Sequence, residues 1–559
     1  MRYLVTSALP YANGPIHLGH IAGAYLPADI YVRYLRNKKR EVIYICGTDE
    51  HGVPITINAE QTGKTPPEVV AENHALIEEA FRRLHMSFDI FSGTSTCPEH
   101  AKLSQKFFLT LQKNGFVSER TVEQFYCEHD AMFLPDRYVE GVCPHCKKGA
   151  RGDQCDYCGN ALNALDLGDP KCKLCGRSPA VRHSRHWFLD LDKFQTRLAR
   201  WLEGKTHWKT NVKLFCNQWL HRGLEPRGIT RDLSWGVPVP LEEAKGKVLY
   251  VWFDAPIGYI SFTQELFRRR GNPEDWKQWW QGGDEVKLVH FIGKDNIVFH
   301  AIIWPAMLMG QNDEWKLPDE IPANEFLNLE GDKFSTSKNY AIWLHEFLDD
   351  FPSDVIRYYL AQISPETRDA DFSLKGFQLA NNSELADIYG NFVNRILSFV
   401  WKFFDGRLAG EMDSSETETD LWNEVRREVA IIEECYETFR VRDAVFHLME
   451  LGRIANKYVD MTAPWTLRKN DEKRCKTVLL TCLNLMNTMA TLFEPITPSA
   501  SRTVKRMLNL PETFDFAAAA TPGIMPGHAI NEPTVLYSKI EDASLEKWRQ
   551  KLGKTNLNS

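Results

Sequence analysis

The sequence predicts an α/β fold: a doubly wound parallel sheet, split by a cysteine-rich insertion and followed by an all-helical bundle. Three observations predict it. Strand-like and helix-like segments alternate up to about residue 115 and resume after about residue 231. Seven of the thirteen cysteines fall between Cys127 and Cys175, in a glycine-rich stretch that breaks this rhythm. From Ser383 to Leu508 nearly every segment carries amphipathic helical periodicity.

Composition narrows the function classes. The 559 residues accommodate three or four domains, and 43% hydrophobic content supports real cores. A formal net charge of −7 gives no global positive field. That argues against a chromatin-like binder and leaves local basic patches open. No apolar run reaches the ~18 residues of a membrane span. Met1 leads straight into a strand with no room for a signal peptide, so a cytoplasmic location is expected. In a chain of this size the clustered cysteines read as metal ligands under reducing conditions rather than as a disulfide framework.

Tyr3–Ser7 reads as a buried strand, and Leu9 to Pro15 as turn chemistry. A helix begins near Leu18 with Ile21, Ala22, Tyr25 and Ala28 on one face; Pro27 inside it predicts a kink or a later true start. Glu41–Cys46 is a second strand, and Pro67–Leu84 and Ala101–Asn114 are helices. Lys247–Asp254 and Val286–Ile292 read as strands, the second followed by a helix ending near Met309. A strand after Asn324 leads into a lysine- and serine-rich loop, then a helical stretch to about Ile363. The bundle is interrupted at Pro464 and at Pro495 and Pro498. The last fifty residues hold the Ala517–Ala520 run and a short basic helix. No internal repeat is evident.

Three motifs carry chemistry. His17-Leu18-Gly19-His20 places two imidazoles three residues apart at a helix start, where unpaired N–H groups favour an anion and Gly19 permits close approach. Such a pair suits a triphosphate whose charge grows in the transition state. Lys333-Phe334-Ser335-Thr336-Ser337-Lys338 offers ammoniums and hydroxyls to departing phosphates. Cys143, Cys146, Cys155 and Cys158 form two C-x-x-C pairs that make a closed, structural four-thiolate site. Cys172 and Cys175 lack a partner pair; Cys127 supplies one thiolate, and Asp130 or His129 the fourth ligand.

Together these stretches resemble the class I aminoacyl-tRNA synthetases, and among them the methionyl-tRNA synthetase family, over nearly the whole chain. His17–His20 is similar to the family's HIGH motif and Lys333–Ser337 to its KMSKS motif. Ala8–Gly14, Val251–Tyr259, Phe291–Asp295 and Ala463–Trp465 carry the resemblance further. Phe334 stands where the motif has Met, and Thr336 where it has its second Lys, so Lys333 and Lys338 are expected to cover the phosphate contact.

The resemblance implies a Rossmann-like catalytic domain in two halves, 1–115 and 231–322, around a connective insertion with zinc knuckles at 116–230. It implies a stem-contact domain bearing the lysine loop at 323–382, an all-α anticodon-binding domain at 383–510 and a C-terminal segment at 511–559. The implied reaction activates L-methionine with ATP and transfers it to tRNA(Met), initiator tRNA included, with Mg²⁺ accompanying ATP and Zn²⁺ at one or two sites. Leu9, Tyr11, Trp252, Ala255, Pro256, Tyr259 and His300 are the implied methionine pocket, with Asn296 making one wall more polar and Asp49 holding the ammonium. Gly293 and Asp295 are implied at the adenine and ribose, and His17, Gly19, His20, Lys333, Ser335 and Lys338 at the phosphates. Arg231, next to Asp232, touches the triphosphate or steadies the loop, or else serves a structural ion pair between domains. Asn394 and Trp465 are implied to read the anticodon, although Ser398 replaces an Arg of many relatives. Some relatives append a dimerising module after the bundle, so a monomer is expected here. The alternatives are another class I synthetase or a catalytically degenerate zinc-containing RNA-binding protein.

Overall fold

The computed structural model describes all residues except 153, 154, 156, 157, 159–161, 336–338, 411–414 and 557–559, and leaves the side chains of 553–556 undescribed. Five parallel strands form the central sheet, in the order Ala323–Asn324, Val286–Gly293, Arg2–Ser7, Val42–Thr48, Ile90–Gly93. Alternate residues of each strand face opposite sides. Val5, Tyr44 and Val289 belong to one core, Leu4, Ile43 and Leu288 to the other. With both faces covered, the strands need continuous apolar runs, which is why they are legible in the sequence.

The expected strand at Lys247–Asp254 is a correction. Only Val248–Leu249 is extended, pairing antiparallel with Thr230–Arg231. Val251–Asp254 is already helical and leads through Ala255–Ile257 into the helix Gly258–Arg269. A short apolar run does not by itself distinguish a buried strand from a buried helix.

Pro27 does not delay the start of the helical run. The helix starts at Leu18, passes through a π-helical turn at Ile21–Tyr25 and continues as Leu26–Asn37, with Pro27 in its first turn. The π turn sets Pro27 one residue into the helix that follows it.

The insertion holds a four-stranded antiparallel sheet built on Val117–Cys127 and Ala180–Leu189, and a three-stranded sheet of Gly149–Arg151, Val139–Val142 and Gly168–Cys172. Helices Glu416–Glu437, Val441–Thr462, Glu472–Phe493 and Pro498–Met507 make the bundle. It is entered by one continuous helical run, Leu374–Leu379 through Ala380–Gly390 to Asn391–Phe404, so the expected division at 382/383 falls inside a helix.

A buried ionic cluster joins the bundle to the sheet domain. The fully buried Arg357 guanidinium donates to Asp29 Oδ2 at 2.7 Å and to the carbonyls of Pro495 and Ile496 at 2.7 and 2.9 Å. Arg33 bridges Asp29 at 2.8 Å and Glu494 at 2.7 Å. Burial opposes ionisation of Asp29, but the Arg33 and Arg357 guanidiniums and the Ser87 hydrogen bond overcome it and hold the carboxyl well below the usual range.

Candidate active site

A cleft of about 1310 Å³ opens at the carboxyl ends of the strands, where doubly wound sheets bind ligands. It brings together Leu9, Tyr11, His17, Gly19, His20, Asp49, Trp252, Ala255, Pro256, Tyr259, Gly293, Asp295, Asn296, His300 and Lys333. Arg231 also lines it. Lys338 lies outside the described residues, as do Thr336 and Ser337.

The two distant motifs meet at one end of the cleft. The His17 and His20 rings stack with centroids 3.7 Å apart, and Phe334 stacks on His17 at 4.6 Å. Backbone hydrogen bonds from Leu18 N to Ile342 O (3.1 Å) and from Leu344 N to Ile16 O (2.9 Å) tie the strand leaving the lysine loop to the first motif. Ser335 and Tyr340 exchange backbone bonds of 2.9 Å each and close the loop base. Gly19 is required locally: a Cβ there would lie 3.0 Å from two His17 ring atoms.

Backbone donors fix both tautomers. Gly19 N–H donates to His17 Nδ1 at 3.1 Å, and His17 N–H donates to His20 Nδ1 at 3.2 Å. A nitrogen that accepts carries no proton, so each neutral ring keeps its hydrogen on Nε2. Desolvation, with His20 adding to it, pushes His17 well below its ordinary pKa, while the backbone N–H donated to its Nδ1 holds His20 in the Nε2–H form. At neutral pH both are uncharged Nε2–H donors.

At the opposite end, burial, then the Asp254 charge, raises the Asp49 carboxyl well above the usual range. Its buried Oδ1 has no hydrogen-bond partner. An orphaned carboxylate oxygen in a cleft calls for a cationic ligand group. Tyr11 Oη donates to the His51 carbonyl at 2.5 Å, and Tyr259 Oη pairs with His300 Nε2 at 2.8 Å. His300 Nδ1 faces the Asn296 carbonyl at 3.1 Å, so Nδ1 carries the proton and Tyr259 donates. Trp252, 38% exposed, stacks on Phe299 at 3.9 Å. Phe299 was not singled out from sequence; its place beside His300 after the last long strand was the available signal.

Arg231 lies over the Tyr250 ring at 3.8 Å and donates to the Thr230 carbonyl at 2.8 Å. Asp232 pairs instead with Lys247 and with His186, the latter at 2.9 Å. Arg231 faces the cleft, and the structural ion pair between domains falls to Asp232, which staples the insertion through His186.

The cysteine clusters fit a tetrahedral metal. The Cys143–Cys158 and Cys146–Cys155 sulfurs are 3.8 and 3.5 Å apart, against the ~3.8 Å edge expected around zinc with ~2.3 Å bonds to sulfur. In the second group Asp130 Oδ2 lies 3.0 Å from Cys127 Sγ and 3.1 Å from Cys172 Sγ, and Cys127 lies 3.4 Å from Cys175. His129 Nδ1 turns to Asp130 Oδ1 at 3.0 Å, outside that tetrahedron. The remaining group, His51, His100 and Asp254, has contacts of 2.7 and 3.2 Å. These are hydrogen-bond separations.

On the bundle, Trp465 is 44% exposed beneath the Arg395 guanidinium, 5.5 Å from its ring. Asn394 is exposed and accepts from the Ser398 hydroxyl at 3.3 Å.

A Rossmann-like sheet with imidazole and lysine motifs converging on one cleft, a cysteine-knuckle insertion and a helical bundle define a class I aminoacyl-tRNA synthetase. Residues 3–397 match the family described as "tRNA synthetases class I (M)", and residues 409–556 match "Anticodon binding domain of methionyl tRNA ligase". The methionine–tRNA ligase of Bacteroides fragilis is 50% identical over 559 residues, covering 99% of this chain and 81% of that protein. That of Pyrococcus abyssi is 48% identical over 554 residues, covering 97% and 76%. The structure of Mycobacterium tuberculosis methionyl-tRNA synthetase in complex with methionyl-adenylate superposes with a TM-score of 0.78 at 25% identity, covering 96% of this chain and all of that one. The chain belongs to the methionyl-tRNA synthetase family.

Proposed function

We propose that the chain is a methionine–tRNA ligase whose residues divide the work along the cleft. A methionine carboxylate oxygen attacks the ATP α-phosphorus. The bond to the bridging oxygen breaks, and pyrophosphate leaves with methionyl-adenylate remaining. The terminal ribose hydroxyl of tRNA(Met), initiator included, then takes the methionyl group and AMP departs.

The meeting of His17 with Phe334 of the lysine loop is the observation that carries this reading. Two neutral Nε2–H donors stand where phosphate charge would develop, and donors of fixed orientation stabilise a transition state without reorganising. Lys333 and Lys338 neutralise the leaving pyrophosphate and the Ser335 hydroxyl donates to it; Mg²⁺ would accompany the phosphates and share that charge. Gly293 and Asp295 receive the adenosine. Asp49 accepts the substrate ammonium. Leu9, Tyr11, Trp252, Ala255, Pro256, Tyr259 and His300 enclose an unbranched thioether, which suits aromatic edges.

Cys143, Cys146, Cys155 and Cys158 would hold one zinc ion, and Cys127, Asp130, Cys172 and Cys175 a second; each would staple the insertion and so help orient it over the tRNA acceptor end. Asn394 and Trp465 receive anticodon bases, with Arg395 in reach of the cation role left by Ser398. Among the described residues no helix is long and apolar enough to cross a membrane. We read the chain as a cytoplasmic protein whose catalytic halves 1–115 and 231–322 flank the insertion 116–230, with the segment from 323 running through one continuous helix into the anticodon-binding bundle. Pyrophosphate exchange with methionine, leucine, isoleucine, valine and cysteine in turn tests the reading: methionine alone should support it. Exchange left unchanged by Lys338→Ala would remove that lysine from the mechanism.

A further inference from the structure

We infer that Asn324 is a positioning residue for the phosphate end of the cleft: it aims His17 and His20 by capping the Ala22 carbonyl that Pro27 leaves without a helical donor. The inference rests on the reading of His17 and His20 as phosphate contacts.

Pro27 is the starting point. Within the π turn Ile21–Tyr25, Leu26 N–H reaches back five residues to the Ile21 carbonyl. The next donor in that pattern, five residues beyond Ala22, is position 27, and proline has no N–H. Ala22 is only 1% exposed, so water does not serve its carbonyl. Asn324 Nδ2 donates to it at 3.0 Å.

Asn324 is itself held. It ends the edge strand of the central sheet and is 3% exposed. Its Oδ1 faces Lys209 Nζ at 3.0 Å, and that ammonium also reaches the Glu366 carbonyl at 3.3 Å. An ammonium only donates, so the amide oxygen must turn to Lys209 and the amide hydrogens to Ala22. Asn324 is not among the residues lining the cleft. It acts through the backbone two residues beyond His20, where a small displacement of the helix swings both imidazoles.

The test measures methionine-dependent pyrophosphate exchange by the full chain. Asn324→Ala and Asn324→Asp are each expected to lower kcat about tenfold or more while KM for methionine stays within about twofold, as misplacement rather than lost binding requires. Pro27→Ala restores an N–H in register with Ala22. In that background the loss from Asn324→Ala should shrink to about threefold or less. A merely structural asparagine would not show this dependence. Equal losses in both backgrounds, or wild-type kcat for Asn324→Asp, overturn the inference. Unchanged exchange by His17→Asn would instead remove the imidazole reading, a result independent of the Pro27 comparison.

Discussion

The Phe334 ring lies nearly parallel to the His17 imidazole, 4.6 Å away with an interplanar angle of 13°. Residues 317 positions apart in sequence thus form one stack at one end of the cleft. The substitution of Phe for the motif's Met does more than fill space: a flat ring couples the lysine loop to the first motif.

Phe334→Ala should therefore loosen the loop. An aromatic pair contributes about 0.5–1.5 kcal/mol beyond its buried area, so KM for ATP should rise about twofold to tenfold in pyrophosphate exchange. KM for methionine should not follow. A parallel rise in both would mean a general loss of the fold.

Asp49→Asn should raise KM for methionine about a hundredfold, because a charge-assisted bond is lost from an enclosed site. The wild-type KM should fall as pH rises and deprotonates Asp49, whereas the variant's should stay flat below the titration of the substrate amine. Stability runs the other way. A carboxyl whose folded pKa lies above its unfolded value, near 3.9, binds more protons when folded, so its contribution to stability falls as pH rises past that value. Asp49→Asn should melt higher than wild type at pH 7, with the gain vanishing towards pH 4.

Arg357→Met leaves Asp29 buried with half its compensation, a change that costs about 3–5 kcal/mol in comparable buried pairs. Its signature is pH-dependent. The Asp29 carboxyl is depressed, so its stabilisation is present above the unfolded pKa and is lost as pH falls through the folded one. Denaturant midpoints should separate widely at pH 7 and converge in strong acid.

Metal analysis of the purified chain should return two zinc ions. Asp130→Ala should reduce this to one, whereas His129→Ala should retain both. Removing zinc should impair tRNA aminoacylation more than pyrophosphate exchange, since neither cysteine group lines the cleft. A metal-free chain with full aminoacylation would exclude the structural role.

What the sequence determined by itself is local. The apolar runs Val42–Thr48 and Val286–Gly293 had to be buried strands, the C-x-x-C pairs had to present thiolates together, and a proline one residue past Ala463 had to end one helix and start the next. Covalent geometry and side-chain periodicity act over a few residues, and these signals survive without a fold. Only tertiary structure decided that Val251–Asp254 is helical, because an apolar run as short as Val248 to Phe253 fits either state until the surface that covers it is known. It alone set Asp130 Oδ2 beside the Cys127 and Cys172 sulfurs and turned His129 Nδ1 to the other Asp130 oxygen. It alone set Phe334 on His17 and Asn324 under Ala22, contacts made by packing across the sheet rather than by any spacing along the chain.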